Sequence, residues 1–427
     1  LTPIGFGQNS IHLVDTLIGE KVNDQFSVVS AVGDVNRDGY KDFIVSSIGG
    51  GYTKLYFGGK SFDTSAAYRF TTPIVKGIGD VNGDGYDDLL VAVGTFIDNG
   101  VFEDIKVYVC FGGKTLPIDS LLVFHKVYPL PCNIVLGGLD DINGDGFADF
   151  AISSSYESNG IGRCYIYIGG KTISTNPVAV LTDGKANNLF GYHVCGIGDI
   201  NKDGYADFAI STSSIFSAPK DTSKILIYYG GMQLDTISHG NPIIGSDLAN
   251  VGDVNGDGFN DFMVSGQKLR LYLHPDSMIT FNPFSGAQIG LGGDVNNDGY
   301  SDFIVGEGNY VNSQGVMVGG ARIYFGGPVV DTVPKALLIG EHHWDQFGYY
   351  VSILGDINGD GYSEIAVGAP YYPDYNNPLG KVYIYSFAPT VGVVVPPHSD
   401  LPLTSKLMQN YPNPFNPNTV ISYQLSE

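Results

Sequence analysis

The stretch DINGDGFADFAIS, residues 141–153, decides how this chain folds. Its first nine residues interleave acids, an amide and glycines, and the next three are apolar. The nine-residue pattern D-x-N-x-D-G-[YF]-x-[DE] occurs seven times, starting at Asp34, Asp80, Asp141, Asp199, Asp253, Asp294 and Asp356. The average interval is about 54 residues, close to the ~40–50 of one propeller blade.

The residue types state a chemistry. Calcium takes six to eight hard oxygen ligands. Position 1 of the pattern is Asp34, Asp80, Asp141, Asp199, Asp253, Asp294 and Asp356. Position 3 is Asn36, Asn82, Asn143, Asn201, Asn255, Asn296 and Asn358. Position 5 is Asp38, Asp84, Asp145, Asp203, Asp257, Asp298 and Asp360. Position 9 is Asp42, Asp88, Asp149, Asp207, Asp261, Asp302 and Glu364. Position 7 would add a main-chain carbonyl, that of Tyr40, Tyr86, Phe147, Tyr205, Phe259, Tyr300 or Tyr362. The glycine at position 6, Gly39 in the first copy, allows the bend that turns these oxygens inward.

Two carboxylates ~4 Å apart repel by about 4 kcal/mol at an effective dielectric of 20, and a divalent ion removes that penalty. Magnesium suits the pattern less, since it resists losing its waters and demands a strict octahedron. The expectation is therefore up to seven Ca²⁺, one per repeat. A plain Asx-rich turn would explain one copy, but not the same acids in the same places seven times. Positions 1, 5 and 9 account for 21 of the 44 acidic residues and so for much of the net charge of −22.

An EF-hand or dockerin loop ends in a carboxylate at position 12 and is flanked by helices. Position 12 here is Val45, Val91, Ile152, Ile210, Val264, Val305 and Val367. These are β-branched and belong to short apolar runs, so the loop joins two strands. Each repeat reads as four strands: A before the loop (FSVVSAVG, 26–33), B after it (DFIVS, 42–46), an aromatic C often ending in Gly-Gly (CYIYIGG, 164–170), and a more polar D (KALLIG, 335–340). Seven such antiparallel meanders make an all-β, seven-bladed propeller. Residues 14–27 resemble 335–348, a D strand leading into an A strand, while the last repeat has no D of its own. The N-terminal segment 11–18 is therefore expected to close blade seven and leave no open edge.

On these motifs the chain resembles the FG-GAP repeat family, the propeller of integrin α chains and of bacterial surface proteins. The resemblance covers residues 11–387. Phe190-Gly191 and Phe347-Gly348 match the FG element, and Gly368-Ala369-Pro370 matches GAP. It implies that the loop carboxylates are calcium ligands. Two departures stand out: Glu364 replaces Asp at position 9 of the last loop, and Asp140 replaces the glycine that precedes position 1 elsewhere.

Composition agrees. Hydrophobic residues make up 43 % and charged residues 15 %, which excludes a disordered chain. The acidity speaks against nucleic acid and against an anionic membrane. The four cysteines, Cys110, Cys132, Cys164 and Cys195, are too few and scattered for a disulfide scaffold. No apolar run reaches the ~18 residues of a membrane span. After the propeller (1–387) comes a Pro/Val-rich linker, 388–406, and then 407–427 with the run QNYPNPFNP (409–417). That run resembles the opening of the C-terminal sorting domain of type IX secretion. It implies export to the outside or the surface of a Gram-negative bacterium, with the secretion machinery as a partner.

A meander places the A–B loops on one face and the B–C and D–A loops on the other. The B–C loops vary in length and carry Phe96, Tyr156, Phe216, Tyr310, Tyr371, Tyr372 and Tyr375. Tyrosine with small polar neighbours suits adaptable recognition, so this face is expected to bind a protein or a glycan without catalysis. Two other functions remain: a polysaccharide lyase or hydrolase on the propeller, or a structural spacer in a larger surface protein. An enzyme would need carboxylate pairs or a His/Tyr/Arg cluster outside the loops, and His342-His343 is the one histidine cluster.

Overall fold

A computed structural model describes residues 11–97, 101–114, 119–213, 223–273, 277–281, 288–389, 406–407 and 423–424. Blade one sets the pattern: strand A Phe26–Gly33, B Asp42–Ser47, C Tyr52–Tyr56 and D Tyr68–Phe70, hydrogen-bonded in that order. Five further four-stranded antiparallel sheets repeat it, with A strands Ile74–Gly79, Ile134–Asp140, Val194–Gly198, Asp247–Gly252 and Gln288–Ile289. Blade seven takes A to C from Tyr350–Gly355, Glu364–Ala369 and Lys381–Ser386. Its D strand is His12–Ile18, which sets Thr16 opposite Tyr383 and Ile18 opposite Lys381. The N-terminal strand thus closes the last blade, as its likeness to 335–348 implied. The A strands of neighbouring blades touch in sequence order, and that of blade seven meets that of blade one.

The core is divided among the junctions. Seven apolar clusters occur among the described residues, one between each pair of adjacent blades. Between blades one and two, Val32, Ile44 and Leu55 meet Val75, Leu89 and Val91. A blade covered on both faces buries its B strand on both sides. Every residue of Asp42–Ser47, Asp149–Ser154 and Glu364–Ala369 is buried. This is why the B strands read as continuous apolar runs instead of alternating. The phenylalanine after position 9 stacks on the tyrosine opposite it in strand C. Phe150 lies 5.0 Å from Tyr167 and Phe303 5.0 Å from Tyr324, with nearly parallel rings. Phe43–Tyr56, Phe208–Tyr228 and Phe262–Tyr272 repeat the pair. Each such pair contributes ~0.5–1.5 kcal/mol beyond its buried area.

The structure corrects the loops at two places. In blade two, strand B runs Asp88–Ile97 and strand C Val101–Cys110, so Phe96, expected in an open loop, pairs with Phe102 on a ladder. Phe96, Ile97, Val101 and Phe102 favour extended backbone, so the ladder continues past the sheet of the other blades. In blade three, residues 155–160 hold a helical turn, Glu157–Gly160.

Cys110, Cys164 and Cys195 are free thiols, the first two buried. Among the described residues no helix is long and apolar enough to cross a membrane. The chain divides into two compact units, Leu1–Ala388 and Pro389–Glu427. In the second, Lys406–Leu407 pairs antiparallel with Tyr423–Gln424. The QNYPNPFNP run and most of 388–406 lie outside the described residues.

Leu17 is buried in the same cluster as Phe26, Val382 and Ile384. Leu17→Ala should cost about 2–5 kcal/mol and lower the melting temperature. A melting curve identical to that of the unaltered protein would mean that the N-terminal strand does not hold the ring shut.

Candidate functional site

The seven A–B loops are built alike. The position 1 carboxylate sits at the centre and accepts the position 6 glycine N–H at 2.8–2.9 Å in every copy. The position 5 carboxylate accepts the position 7 N–H at 2.9–3.1 Å. The position 3 amide oxygen accepts the position 5 N–H at 2.8–3.0 Å. The position 6 glycines have φ between 87 and 92°, where a side chain would be strained, so the bend expected of Gly39 is present in all seven.

Position 9 does something different. Asp42, Asp88, Asp149, Asp207, Asp261, Asp302 and Glu364 are fully buried. One oxygen of each accepts the position 2 N–H of its own loop at 2.7–3.0 Å. In five blades the other oxygen accepts a glycine N–H just beyond strand C, from Gly58, Gly112, Gly169, Gly230 or Gly326, at 2.8–2.9 Å. The acid therefore ties the loop to strands A, B and C at once. Burial pushes its pKa up, to about 7 for Asp42, Asp88, Asp149 and Asp302, about 6 for Asp207 and about 8 for Glu364. Backbone donors oppose that rise, while the carboxylates at positions 1 and 5 add to it.

Loop seven departs from the rest. In the other six, the position 3 amide donates to the position 5 acid at 2.8–3.1 Å. In loop seven, Asn358 donates instead to Glu364 at 2.9 Å, because the longer side chain reaches it. Asp140 adopts φ 61°, a left-handed conformation that Asp tolerates better than most side chains.

The loops are joined to one another. At six junctions, including that between loops seven and one, the position 8 N–H donates to the position 1 carbonyl of the preceding loop at 2.9–3.1 Å (Asp87 to Asp34, Ala148 to Asp80, Lys41 to Asp356 among them). The second glycine after strand C donates to the position 2 carbonyl of the preceding loop at 2.7–2.8 Å in the same five blades, as Gly170 does to Val81. The position 7 ring lies over position 4 of the preceding loop. A Cβ on Gly83 would fall 2.5 Å from the Phe147 ring, and one on Gly359 2.6 Å from that of Tyr40. Where position 4 is Arg37 or Lys202, its cation sits 5.9 Å above the Tyr86 ring or 4.1 Å above that of Phe259.

All donors at positions 1, 3, 5, 7 and 9 are oxygens, which is the chemistry of a hard cation. Among the described residues, no three Asp, Glu, His or Cys side chains already converge as a metal centre. Position 2 was missed in the sequence: Val35, Val81, Ile142, Val254, Val295 and Ile357 are fully buried and anchor their loops in the junction clusters. Their uniform apolar character was the signal.

On the opposite face, the expected aromatics separate. Phe216 lies outside the described residues, and Phe96 lies on a strand. Tyr310 packs on Gly320, with the Arg322 guanidinium 5.8 Å from its ring. Tyr372 is half-buried between the His342 ring at 5.3 Å and the Lys381 ammonium at 4.6 Å. Tyr371 and Tyr375 remain together, ring centroids 4.8 Å apart, and Tyr375 is 58 % exposed. Two tyrosines unnoticed in the sequence join them at the starts of A strands: Tyr349, 39 % exposed, and Tyr192. Burial, then the nearby Tyr156, Asp247 and Tyr349, raises the Tyr192 hydroxyl above its ordinary value. Tyr371 is raised likewise by burial and by Tyr375 and Tyr349. Tyr156, Tyr192, Tyr349, Tyr371 and Tyr375, from blades three, four and seven, thus influence one another electrostatically. The signal was FGY, at 190–192 and 347–349.

Residues 135–167 and 347–385 match the FG-GAP repeat family model, and both segments run from strand A to strand C of one blade. The chain is 30 % identical over 209 residues to integrin α-6 of Gallus gallus, a match covering 48 % of this chain and 15 % of that protein. It is 41 % identical over 141 residues to integrin α-7 of Mus musculus, covering 29 % of this chain and 11 % of that one. With integrin α-8 of Mus musculus it shares 35 % over 100 residues, or 22 % of this chain and 9 % of the other. The matches thus span less than a sixth of each of these relatives.

Gly169 shows how tight the loop junction is: a Cβ there would lie 2.3 Å from the Ala148 carbonyl oxygen and 2.7 Å from that of Val81. Gly169→Ala should therefore destabilise by about 1–3 kcal/mol, the range of overpacking, seen as a lower denaturation midpoint. A neutral effect would show that the junction is looser than drawn here.

Proposed function

The chain is a seven-bladed propeller built of FG-GAP repeats and related to integrin α chains, and on that premise we propose that it is a calcium-stiffened recognition module of the cell exterior, without catalysis. The observation that carries this proposal is the contrast between its faces. One face is occupied by seven loops hydrogen-bonded to one another, which leaves them a structural task. The other presents Tyr349 and the adjoining pair Tyr371 and Tyr375, rings that offer large contact area at low entropy cost.

In the loops, the side chains at positions 1, 3, 5 and 9 and the position 7 carbonyl would hold Ca²⁺. The ion would supply positive charge to carboxylates that otherwise repel. The partner proposed for the tyrosine face is a protein or a glycan. The QNYPNPFNP run supports export by a type IX route in a Gram-negative bacterium, with the chain outside the cell or on its surface.

The enzyme alternative gains little from the Lys126 cluster among the described residues, which has the right composition. Lys126 contacts Glu157 and donates to the Tyr165 hydroxyl at 2.7 Å, and Arg163 lies 3.0 Å from Glu157. Burial raises the Tyr165 hydroxyl above its ordinary value. Burial would lower Lys126, but its bonds to Glu157 and Tyr165 raise it. Neither group is poised to take a proton, and the cluster ties blade two to blade three.

Two measurements test the proposal. With Kd values of ~10⁻⁴–10⁻³ M, each loop in 1 mM calcium would add about 0.4–1.4 kcal/mol. EDTA should accordingly lower the melting temperature markedly; an unchanged curve contradicts the cation role. On protein and glycan arrays in millimolar calcium, the ring should show saturable binding without turnover. Alanine at Tyr349, Tyr371 and Tyr375 together should weaken that binding at least tenfold. Turnover of a glycan would favour the enzyme, and no partner at all would favour the spacer.

A further inference from the structure

We propose that the loops bind cations as a coupled series, each bound loop strengthening the one before it through one shared peptide group at the six junctions where the position 8 N–H bonds to the preceding loop. This rests on the calcium reading of the loops. The peptide between positions 7 and 8 carries two groups with different roles. Its carbonyl is the expected main-chain ligand of its own loop. Its N–H is the donor to the position 1 carbonyl of the preceding loop, as Ala148 N–H is to Asp80. The next peptide along carries that position 1 carbonyl on one side. On the other side is the position 2 N–H, which donates to the preceding loop's position 9 carboxylate, as Val81 does to Asp88 at 3.0 Å.

A continuous run of hydrogen bonds therefore leads from the Phe147 carbonyl of loop three to the Asp88 carboxylate of loop two. The same run leads from Tyr86 to Asp42 through Asp87, Asp34 and Val35. It crosses the closure as well, from Tyr40 to Glu364 through Lys41, Asp356 and Ile357. A cation drawing on the carbonyl polarises the peptide and makes its N–H a better donor. Hydrogen bonds in such chains reinforce one another. The run ends on a carboxylate expected to be a ligand, and so would hold the preceding loop in the geometry that binds. The position 7 ring, lying over position 4 of the same preceding loop, couples the two backbones sterically in addition.

The test is a double-mutant cycle on calcium-dependent stability, in the full chain. Asp84→Asn and Asp145→Asn weaken adjacent loops two and three; Asp84→Asn and Asp257→Asn weaken loops two and five, which share no junction. All three sites are exposed loop positions, and circular dichroism with melting in EDTA checks that each variant folds. The readout is the rise in melting temperature between EDTA and millimolar calcium. The adjacent pair should lose less than the sum of its single losses, because the coupling is removed only once, while the remote pair should be additive. Additivity of both pairs overturns the proposal. Equal non-additivity of both also overturns it, since that reflects global stability and no link between neighbours. Absence of any calcium-dependent rise in the unaltered protein overturns the cation reading itself, a distinct result.

Discussion

The structure depends on what becomes of the carboxylate at position 9. A buried acid with no partners would cost several kcal/mol. Here each one accepts the position 2 N–H of its own loop, and in five blades also the first glycine N–H after strand C. One side chain thereby fixes the A–B turn, the start of strand B and the exit of strand C. That acid anchors the turn to the strands around it, and the loops in turn are hydrogen-bonded across the blade junctions.

The meeting of blades is both apolar and polar. Deep in each junction, branched and aromatic side chains of two B strands interdigitate. At the loop end, five of the junctions are finished by main-chain hydrogen bonds that leave no room for a side chain on the first glycine after strand C, while the second glycine donates its N–H to the preceding loop. The arrangement places 21 of the 44 acidic residues on one face, in a band of contiguous loops. The other face is then free to vary in loop length without disturbing the ring. Strands Asp88–Ile97 and Val101–Cys110 run on past the others, 155–160 coil into a helical turn, and 370–380 fold so that the Tyr371 and Tyr375 rings meet at a tilt.

The seven-blade count, the strand order within a blade and the closure by residues 12–18 were all legible in the sequence. They follow from local signals: the nine-residue loop, the apolar triplet after it, and the likeness of residues 14–27 to 335–348. Phe96 was misplaced because a loop and a prolonged hairpin share the same glycine and asparagine signals, and only the cross-strand partner Phe102 separates them. Tyr310 and Tyr372 looked like free recognition residues, yet Arg322, Lys381 and His342 occupy their rings, and those partners sit on other strands or loops 9 to 30 positions away.

The sequence by itself determined the repeat, its oxygen-rich turns and the buried strands, because each depends on residues within about ten positions of one another. Tertiary structure decided which groups become neighbours across blades: the position 8 N–H on the preceding loop's carbonyl and the position 7 ring over position 4. Those contacts join residues tens to hundreds of positions apart. No local pattern specifies them, since they exist only once the blades have closed into a ring.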